Sequence, residues 1–483
     1  MVTIISHRGD IATMKKLFAT AIFAITLLGS TFQAFACTTI LVGKNASADG
    51  CAYAGRTNDD PEMLSARLNI FPASDETGTY EYADPENGLK LSLSKANRRC
   101  IILPVYDKSP DMWWESGFND AGVGISATET ISIRQEIQAV DPFTKKGMCE
   151  GNIPRLVLPY IGNAREGVLY LGNMVKQYGM TSGEAVVFID NDEIWYMEIL
   201  SGHQWAAHRL PDDEYACIGN DCLLDFYDPD DSLNWMGSDN VVELTKQAGT
   251  YTELDGKFHL ALSYATDKRD YSQLRIWASR RYFNNAAADS YNVNTQYTFS
   301  VKPNRKIALQ DIFALTRDRH ENTPWATDIS GHTRPIGIDR TGQVHIFQYK
   351  KGTVPVMWSC LSAPEFAVYL PVYNNVTSIP QGLTVSTPDY NEESFSWQLR
   401  LISDLAVTDR SKYSQLVRAP FRKLEDQFIQ QVRKVPNPTA EEADQALIKA
   451  DRYAWNSMNE VKTKLITKVS EDTVLATKTL GRD

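Results

Sequence analysis

The chain has 483 residues and a formal net charge of −11, with 60 acidic against 49 basic residues. This negative balance argues against a nucleic-acid-binding protein and against a protein that binds anionic membranes. The hydrophobic fraction of 43% predicts a globular protein with a large core.

The N-terminal residues predict a secretory leader. The natural chain is expected to begin at Met14, because the two lysines that follow it form a charged start. The next apolar run is too short to span a bilayer. Ala34 and Ala36 stand at the −3 and −1 positions that signal peptidase reads. Residues 1–36 are therefore predicted to be a signal peptide, and Cys37 the first residue of a protein that a bacterium exports to its periplasm or secretes.

An N-terminal cysteine carries a thiol and an α-amine on one residue. The pKa of an ordinary α-amine is about 7.7–8.0, so the amine can act as the base that activates its own thiol. Two other readings of the leader remain open. It could stay uncleaved as an anchor, or a lipoprotein peptidase could cut before Cys37 and leave a lipid-anchored binding protein with an acylated cysteine.

The mature start predicts a β-hairpin. Residues 37–43 and 51–56 are β-rich, and the intervening segment ends in the turn pair Asp-Gly. If Val42 pairs with Cys51, then Cys37 lies opposite Arg56. The permanent charge of Arg56 would favour the thiolate.

The central part predicts a layered α+β domain. A turn is expected at residues 116–122, and helices around 153–163 and 166–178. Strands are expected at the following ranges, of which the second and third form a hairpin: 123–127, 184–190, 193–199, 204–210 and 215–218.

The C-terminal part, residues 401–483, predicts a helical extension. Residues 411–435 and 439 to about 469 are polar and periodic, and Thr439 with Glu442 forms a capping box after a proline-containing break. Trp455, Met458 and Val461 would share one helix face and pack on the body. These helices are expected to be structural or to mediate a homo-oligomer.

Cysteine and histidine spacing gives no metal-binding pattern. Cys217 and Cys222 are close enough in sequence for a local disulfide, but no second cysteine pair follows at zinc-site spacing. No His-Glu-x-x-His motif is present. The spacing therefore predicts a protein without a catalytic metal.

Several segments together resemble the cysteine dipeptidases of the dipeptidase A type. These enzymes are N-terminal-nucleophile (Ntn) hydrolases, related to penicillin V acylase and conjugated bile acid hydrolase. The resemblance runs to about Tyr373 and rests on CTTILVGKNASADG (37–50), GRTNDD (55–60), NDAGVGISATET (119–130), WYMEILSGHQWAA (195–207) and RDRHENT (317–323).

The resemblance implies a four-layer αββα Ntn-hydrolase sandwich over residues 37–400. It also implies amide hydrolysis through a thioester intermediate, without metal or organic cofactor. Cys37 matches the nucleophile and base, whereas Arg56 and Asp59 match the pair that positions the thiol and its α-amine.

Three further residues are assigned by the same resemblance. Asn220 matches the side chain that donates to the oxyanion, and Arg275 matches an active-site arginine. Glu129 falls near the oxyanion position of the acylases. A carboxylate cannot donate a hydrogen bond there, so Glu129 is expected to bind the ammonium group of a substrate.

The sequence thus predicts an exported cysteine dipeptidase that is matured by signal peptidase and cleaves small peptides. The alternative within enzymes is a non-peptidic amide hydrolase of the bile acid or penicillin acylase type. The alternative outside enzymes is the lipid-anchored binding protein.

Overall fold

The computed structural model describes residues 37–59, 65–105, 113–266, 268–327 and 334–479. Within these ranges, the side chains of residues 128–130 and 477–479 are not described. The predicted leader and its cleavage site lie outside the described residues, so the export hypothesis stays a prediction.

The strands form two large antiparallel sheets and two small hairpins. In chain order the strands are β1 (Thr38–Val42), β2 (Ala52–Asn58), β3 (Asn69–Phe71), β4 (Thr79–Ala83), β5 (Lys90–Ser94), β6 (Cys100–Pro104), β7 (Trp114–Asn119), β8 (Gly124–Ile131), β9 (Gly183–Ile189), β10 (Ile194–Ile199), β11 (Trp205–Arg209), β12 (Tyr215–Ile218), β13 (Trp235–Gly237), β14 (Glu253–Leu254), β15 (Lys257–Phe258), β16 (Gln343–Tyr349), β17 (Val356–Cys360) and β18 (Leu370–Tyr373). The six-stranded sheet has the order β12-β1-β2-β16-β17-β18, and the eight-stranded sheet has the order β13-β11-β10-β9-β8-β7-β6-β3.

Helices cover the outer face of each sheet. The α-helices are α1 (Gln135–Val140), α2 (Ile153–Val157), α3 (Ala164–Tyr178), α4 (Val241–Gln247), α5 (Leu260–Tyr264), α6 (Asp270–Asn284), α7 (Leu309–Thr316), α8 (Gln381–Thr384), α9 (Phe395–Val407), α10 (Arg410–Lys434) and α11 (Ala440–Thr479). Short 3₁₀ turns lie at Glu150–Asn152, Leu158–Tyr160 and Pro364–Phe366.

The order of the layers follows from the alternation of side chains along the strands. Between the sheets, the rings of Phe118 on β7 and Phe347 on β16 meet at 5.9 Å. On the far side of the eight-stranded sheet, Phe188 packs in one buried cluster with Leu171 of α3. On the far side of the six-stranded sheet, the ring centroids of Tyr215 on β12 and Phe283 on α6 lie 4.9 Å apart. The predicted α+β, four-layer αββα sandwich is therefore confirmed.

The predicted hairpin forms, but its predicted register is wrong by two residues. Val42 pairs with Tyr53 rather than Cys51, and Arg56 lies opposite Thr39 rather than Cys37. The loop between the strands is longer than the turn that the sequence suggested. Because side chains alternate with a period of two, this shift keeps Arg56 on the same face as Cys37, as its diagonal neighbour.

The predicted hairpin of β9 and β10 is confirmed, and so are the strands at β8, β11 and β12. The expected turn at 116–122 is shorter, because residues 116–119 belong to β7. The helix around 153–163 is short and continues as a 3₁₀ turn, where Pro159 removes a backbone donor.

The two predicted C-terminal helices are present as α10 and α11, although α11 continues to Thr479. Glu442 donates its backbone N–H to Thr439 Oγ1 at 3.2 Å and accepts the Thr439 N–H at 2.8 Å, which forms the predicted capping box. Met458 and Val461 are buried, and Trp455 packs against the same core. None of the helices within the described ranges is long and apolar enough to cross a membrane.

All seven cysteines lie within the described ranges, and none of them forms a disulfide. The local disulfide between Cys217 and Cys222 that the sequence allowed is therefore not formed. Cys217 Sγ instead approaches the backbone oxygen of Arg275 at 3.7 Å, where β12 packs on α6.

Candidate active site

Cys37 lies at the start of β1, in the interior of the six-stranded sheet, and is only 3% exposed. Arg56 Nη1 donates a hydrogen bond to Cys37 Sγ at 3.4 Å. A cation at this distance favours the thiolate over the thiol. The structure thus brings together the predicted nucleophile and the predicted arginine, in spite of the shift in register.

Two glutamates hold the Arg56 guanidinium. One lies on the opposite sheet, and the other begins the 3₁₀ turn at Glu150–Asn152. Glu115 Oε2 on β7 lies 2.6 Å from Arg56 Nη2, and Glu150 Oε1 lies 3.4 Å from Nη1. Arg56 is 1% exposed and Glu115 is 5% exposed. Charge-assisted bonds of this kind fix the orientation of the guanidinium beside the thiol. Sequence reasoning missed both glutamates, although a lone glutamate in the strand WESGFN is a signal for a buried polar role.

Asp59 is fully buried and is linked through Thr57 to the backbone of Thr38, the residue after the predicted nucleophile. Thr57 Oγ1 accepts the backbone N–H of Thr38 at 3.1 Å and donates to Asp59 Oδ2 at 3.1 Å. Asp59 also accepts hydrogen bonds from Arg334 Nη2 and Thr341 Oγ1, two residues that the sequence did not indicate. Asp59 therefore orders the backbone directly after Cys37.

Arg275 and Asn220 meet at the start of β1, although their sequence matches were loose. Arg275 Nη1 donates to the backbone oxygen of Cys37 and, at 2.8 Å, to Thr38 Oγ1. Arg275 Nη2 donates to Asn220 Oδ1 at 2.7 Å. Oδ1 of Asn220 is therefore held by arginine, and the predicted oxyanion role falls to Nδ2, the donor of this amide.

Glu129 lies on β8, opposite Ala185 of β9, next to an irregularity in the pairing. Its side chain lies outside the described part of the structure. The predicted contact of Glu129 with a substrate ammonium therefore stays a prediction.

His345 is a neighbour of this site that the sequence did not single out. It lies opposite Arg56 on β16, and its Nε2 lies 2.8 Å from Ser126 Oγ on the other sheet. Burial, together with the charge of Arg56, lowers the pKa of His345 well below its usual value. A neutral imidazole adds no second positive charge beside Arg56.

Glu198 supports the loop that carries Asn220. The carboxyl lies on β10, and its Oε1 accepts the backbone N–H groups of Leu223 at 2.6 Å and Leu224 at 3.2 Å. Its Oε2 is buried and has no hydrogen-bond partner among the described residues. Burial raises the pKa of Glu198 to about 8, so the carboxyl is largely protonated at neutral pH.

We expect Glu198→Gln to gain stability relative to the unmodified protein as the pH rises from about 5 to 8. The unfolded chain releases the Glu198 proton near pH ~4.3, whereas the folded chain releases it near pH 8. Between these values the folded state holds the extra proton, so its stability falls as pH rises. Glutamine stays neutral and still accepts from both N–H groups.

The measurement is the melting temperature of both proteins across this pH range, with Glu243→Gln at an exposed helix position as the control. The difference in free energy of unfolding between Glu198→Gln and the unmodified protein, obtained from these melting curves, should grow to roughly a few kcal/mol at pH 8. A difference in stability that does not change with pH would contradict the raised pKa of Glu198.

The fold thus places a buried cysteine, in contact with a buried arginine, at the start of a central strand. Residues 36–423 match Peptidase family C69, and the chain belongs to this family. It is therefore a peptidase, and the resemblance inferred from the sequence is confirmed at the level of the family.

Curated relatives carry dipeptidase names. A "Probable dipeptidase B" of Streptococcus pyogenes serotype M3 is 29% identical over 94% of this chain and 97% of its own length. A "Probable dipeptidase" of Salmonella dublin is 34% identical over 76% of this chain and 87% of its own length.

Among solved structures, penicillin V acylase from Agrobacterium tumefaciens aligns over 73% of this chain and 89% of its own. Its TM-score is 0.35 and its sequence identity is 14%.

Proposed function

We propose that this C69 peptidase is an exported dipeptidase that cleaves small peptides through a thioester on Cys37. The observation that supports this proposal best is the convergence of two buried arginines on one residue. Arg56 contacts the thiol and Arg275 contacts the backbone oxygen of Cys37. This residue directly follows the predicted signal peptidase site, so cleavage would create an α-amine beside a fixed thiol.

In the proposed reaction, the Cys37 amine takes the thiol proton and the thiolate attacks the scissile carbonyl. The oxyanion that forms accepts a hydrogen bond from Nδ2 of Asn220. The C–N bond then breaks, and the leaving amine takes the proton. Water hydrolyses the thioester, which releases the acid and restores the thiol. Arg56 stabilises the thiolate, while Thr57 and Arg275 keep the backbone of residues 37 and 38 in place.

The maturation step is tested by intact mass and N-terminal sequencing of protein purified from an exporting bacterial host. We expect a single N-terminus at Cys37, because Ala34 and Ala36 suit signal peptidase. An uncleaved chain would reject this step. A diacylglycerol mass increment on Cys37 would instead support the lipid-anchored binding protein.

Substrate choice separates the dipeptidase from the acylase alternative. A dipeptidase recognises the free ammonium of its substrate, and Glu129 is the proposed carboxylate for this contact. We expect free dipeptides to be cleaved and their N-acetylated copies to resist cleavage. Glu129→Gln should raise KM more than it lowers kcat, because a charge-assisted contact to the bound substrate is lost.

The assay compares kcat/KM for each free dipeptide with that for its acetylated copy. Equal rates on both would remove the ammonium requirement. Efficient cleavage of penicillin V or conjugated bile acids would move the assignment to the acylase type.

A further inference from the structure

A cavity of about 500 Å³ begins one residue from Asn220. Asp221 and Cys222 form part of its wall, and Gln273 of α6 closes the same side. Gln273 lies two positions before Arg275 on that helix. The cavity volume is in the range of small-molecule sites. The wall therefore connects to the same loop and helix that hold Cys37.

Among the described residues that line this cavity, basic side chains outnumber acidic ones. Asp221 is engaged by Arg269 Nε at 3.1 Å and by Gln273 Nε2 at 3.1 Å. Lys268 and Arg134 also line the cavity, and neither pairs with a carboxylate among the described residues. Two cations thus face one cavity of a chain whose net charge is −11.

Both cations are held in place by backbone oxygens. Lys268 Nζ donates to the oxygen of Thr295 at 2.8 Å, and Arg134 Nη2 donates to the oxygen of Leu262 at 3.2 Å. Partial burial lowers the pKa of Lys268. Arg134 Nε is buried without a hydrogen-bond partner in the described structure.

A second buried polar atom in this wall has no partner. Gln273 is 2% exposed, and its Oε1 accepts no hydrogen bond from the described residues. An acceptor of this kind suits an N–H group of a ligand. The wall of the cavity therefore includes this unpaired acceptor on Gln273, which contacts Asp221, as well as two cations.

We propose that this cavity binds the C-terminal residue of a dipeptide, with Lys268 and Arg134 as the partners of its free carboxylate. This inference rests on the proposed dipeptidase function and gives it a physical reason. A substrate whose second residue carries no free carboxylate offers these two cations no carboxylate to bind. Such a site selects dipeptides over longer peptides and over amides.

The test measures binding separately from hydrolysis. Alanylalanine and its C-terminal amide are titrated into mature Cys37→Ala protein by calorimetry, and then into proteins that also carry Lys268→Gln or Arg134→Gln. The first protein should bind the free dipeptide at least about tenfold more tightly than the amide, because a charge-assisted bond is lost in the amide. Each added substitution should remove most of this preference.

The control is Lys302→Gln, which removes an exposed lysine paired with Asp213 outside the cavity. It should leave the preference unchanged. Equal binding of the dipeptide and the amide, or a preference that survives in the Lys268→Gln/Arg134→Gln double variant, would overturn the inference. Hydrolysis by the enzyme with Cys37 intact is scored independently. Absence of turnover with carboxylate-dependent binding would reject the proposed reaction but retain the site.

Discussion

Insertion of one glycine between Ala36 and Cys37 is expected to slow peptide hydrolysis by orders of magnitude. The inserted residue converts the α-amine of Cys37 into an amide nitrogen, which is not basic enough to take the thiol proton. General base catalysis typically contributes a factor of about 10²–10⁴ in rate, so the loss should be of this order. The thiol and its contact with Arg56 are present in both proteins, so the comparison isolates the amine.

Cys37→Ala provides the matching loss of the nucleophile. Both variants should retain the melting temperature of the unmodified protein, and mass spectrometry should verify each N-terminus. The readout is kcat/KM on a free dipeptide. Full activity of the variant with the inserted glycine would contradict an amine base and would indicate an internal cysteine–histidine pair instead.

Glu115→Ala is expected to destabilise the fold by about 3–5 kcal/mol. Glu115 lies 2.6 Å from the Arg56 guanidinium, and both side chains are buried. Loss of this carboxylate leaves a buried cation with its weaker partner, Glu150 at 3.4 Å. Activity should also fall, because Arg56 loses the contact that orients it toward the thiol.

The matched control for this prediction is Glu76→Ala. Glu76 pairs with Lys95 at 3.4 Å, but its side chain is 72% exposed, so its removal should cost less than about 1 kcal/mol. Urea unfolding of the three proteins gives the comparison. Similar costs for the buried and the exposed glutamate would show that Arg56 does not depend on Glu115.

Local patterns in the sequence predicted much of the architecture. The alternation around β9 and β10 and the capping box before α11 each depend on residues close in sequence, so short segments carry these signals. The register of the first hairpin was predicted wrongly because it depends on the conformation of a long loop. The contact of Arg56 with Cys37 nevertheless forms, since a shift of two residues preserves the face of a strand.

The surroundings of Cys37 show where local reasoning ends. Glu115 and Glu150 reach Arg56 from 59 and 94 residues away, and Arg334 and Thr341 reach Asp59 from 275 and 282 residues away. Neither spacing nor composition encodes such partners. They meet only when strands and loops from distant parts of the chain pack together, because each buried charge requires a counter-charge or a hydrogen bond.

The sequence by itself determined the predicted nucleophile, because a cleavage pattern and a following cysteine are adjacent in the chain. It also determined the family resemblance, through several segments taken together, and this resemblance implied the class of fold. Only the tertiary structure decided which carboxylates hold Arg56 and that Arg275 contacts Asn220. It also decided that Lys268 and Arg134 line one cavity. These features join distant segments, and their geometry is fixed by the burial of polar groups between packed layers rather than by any local preference of the chain.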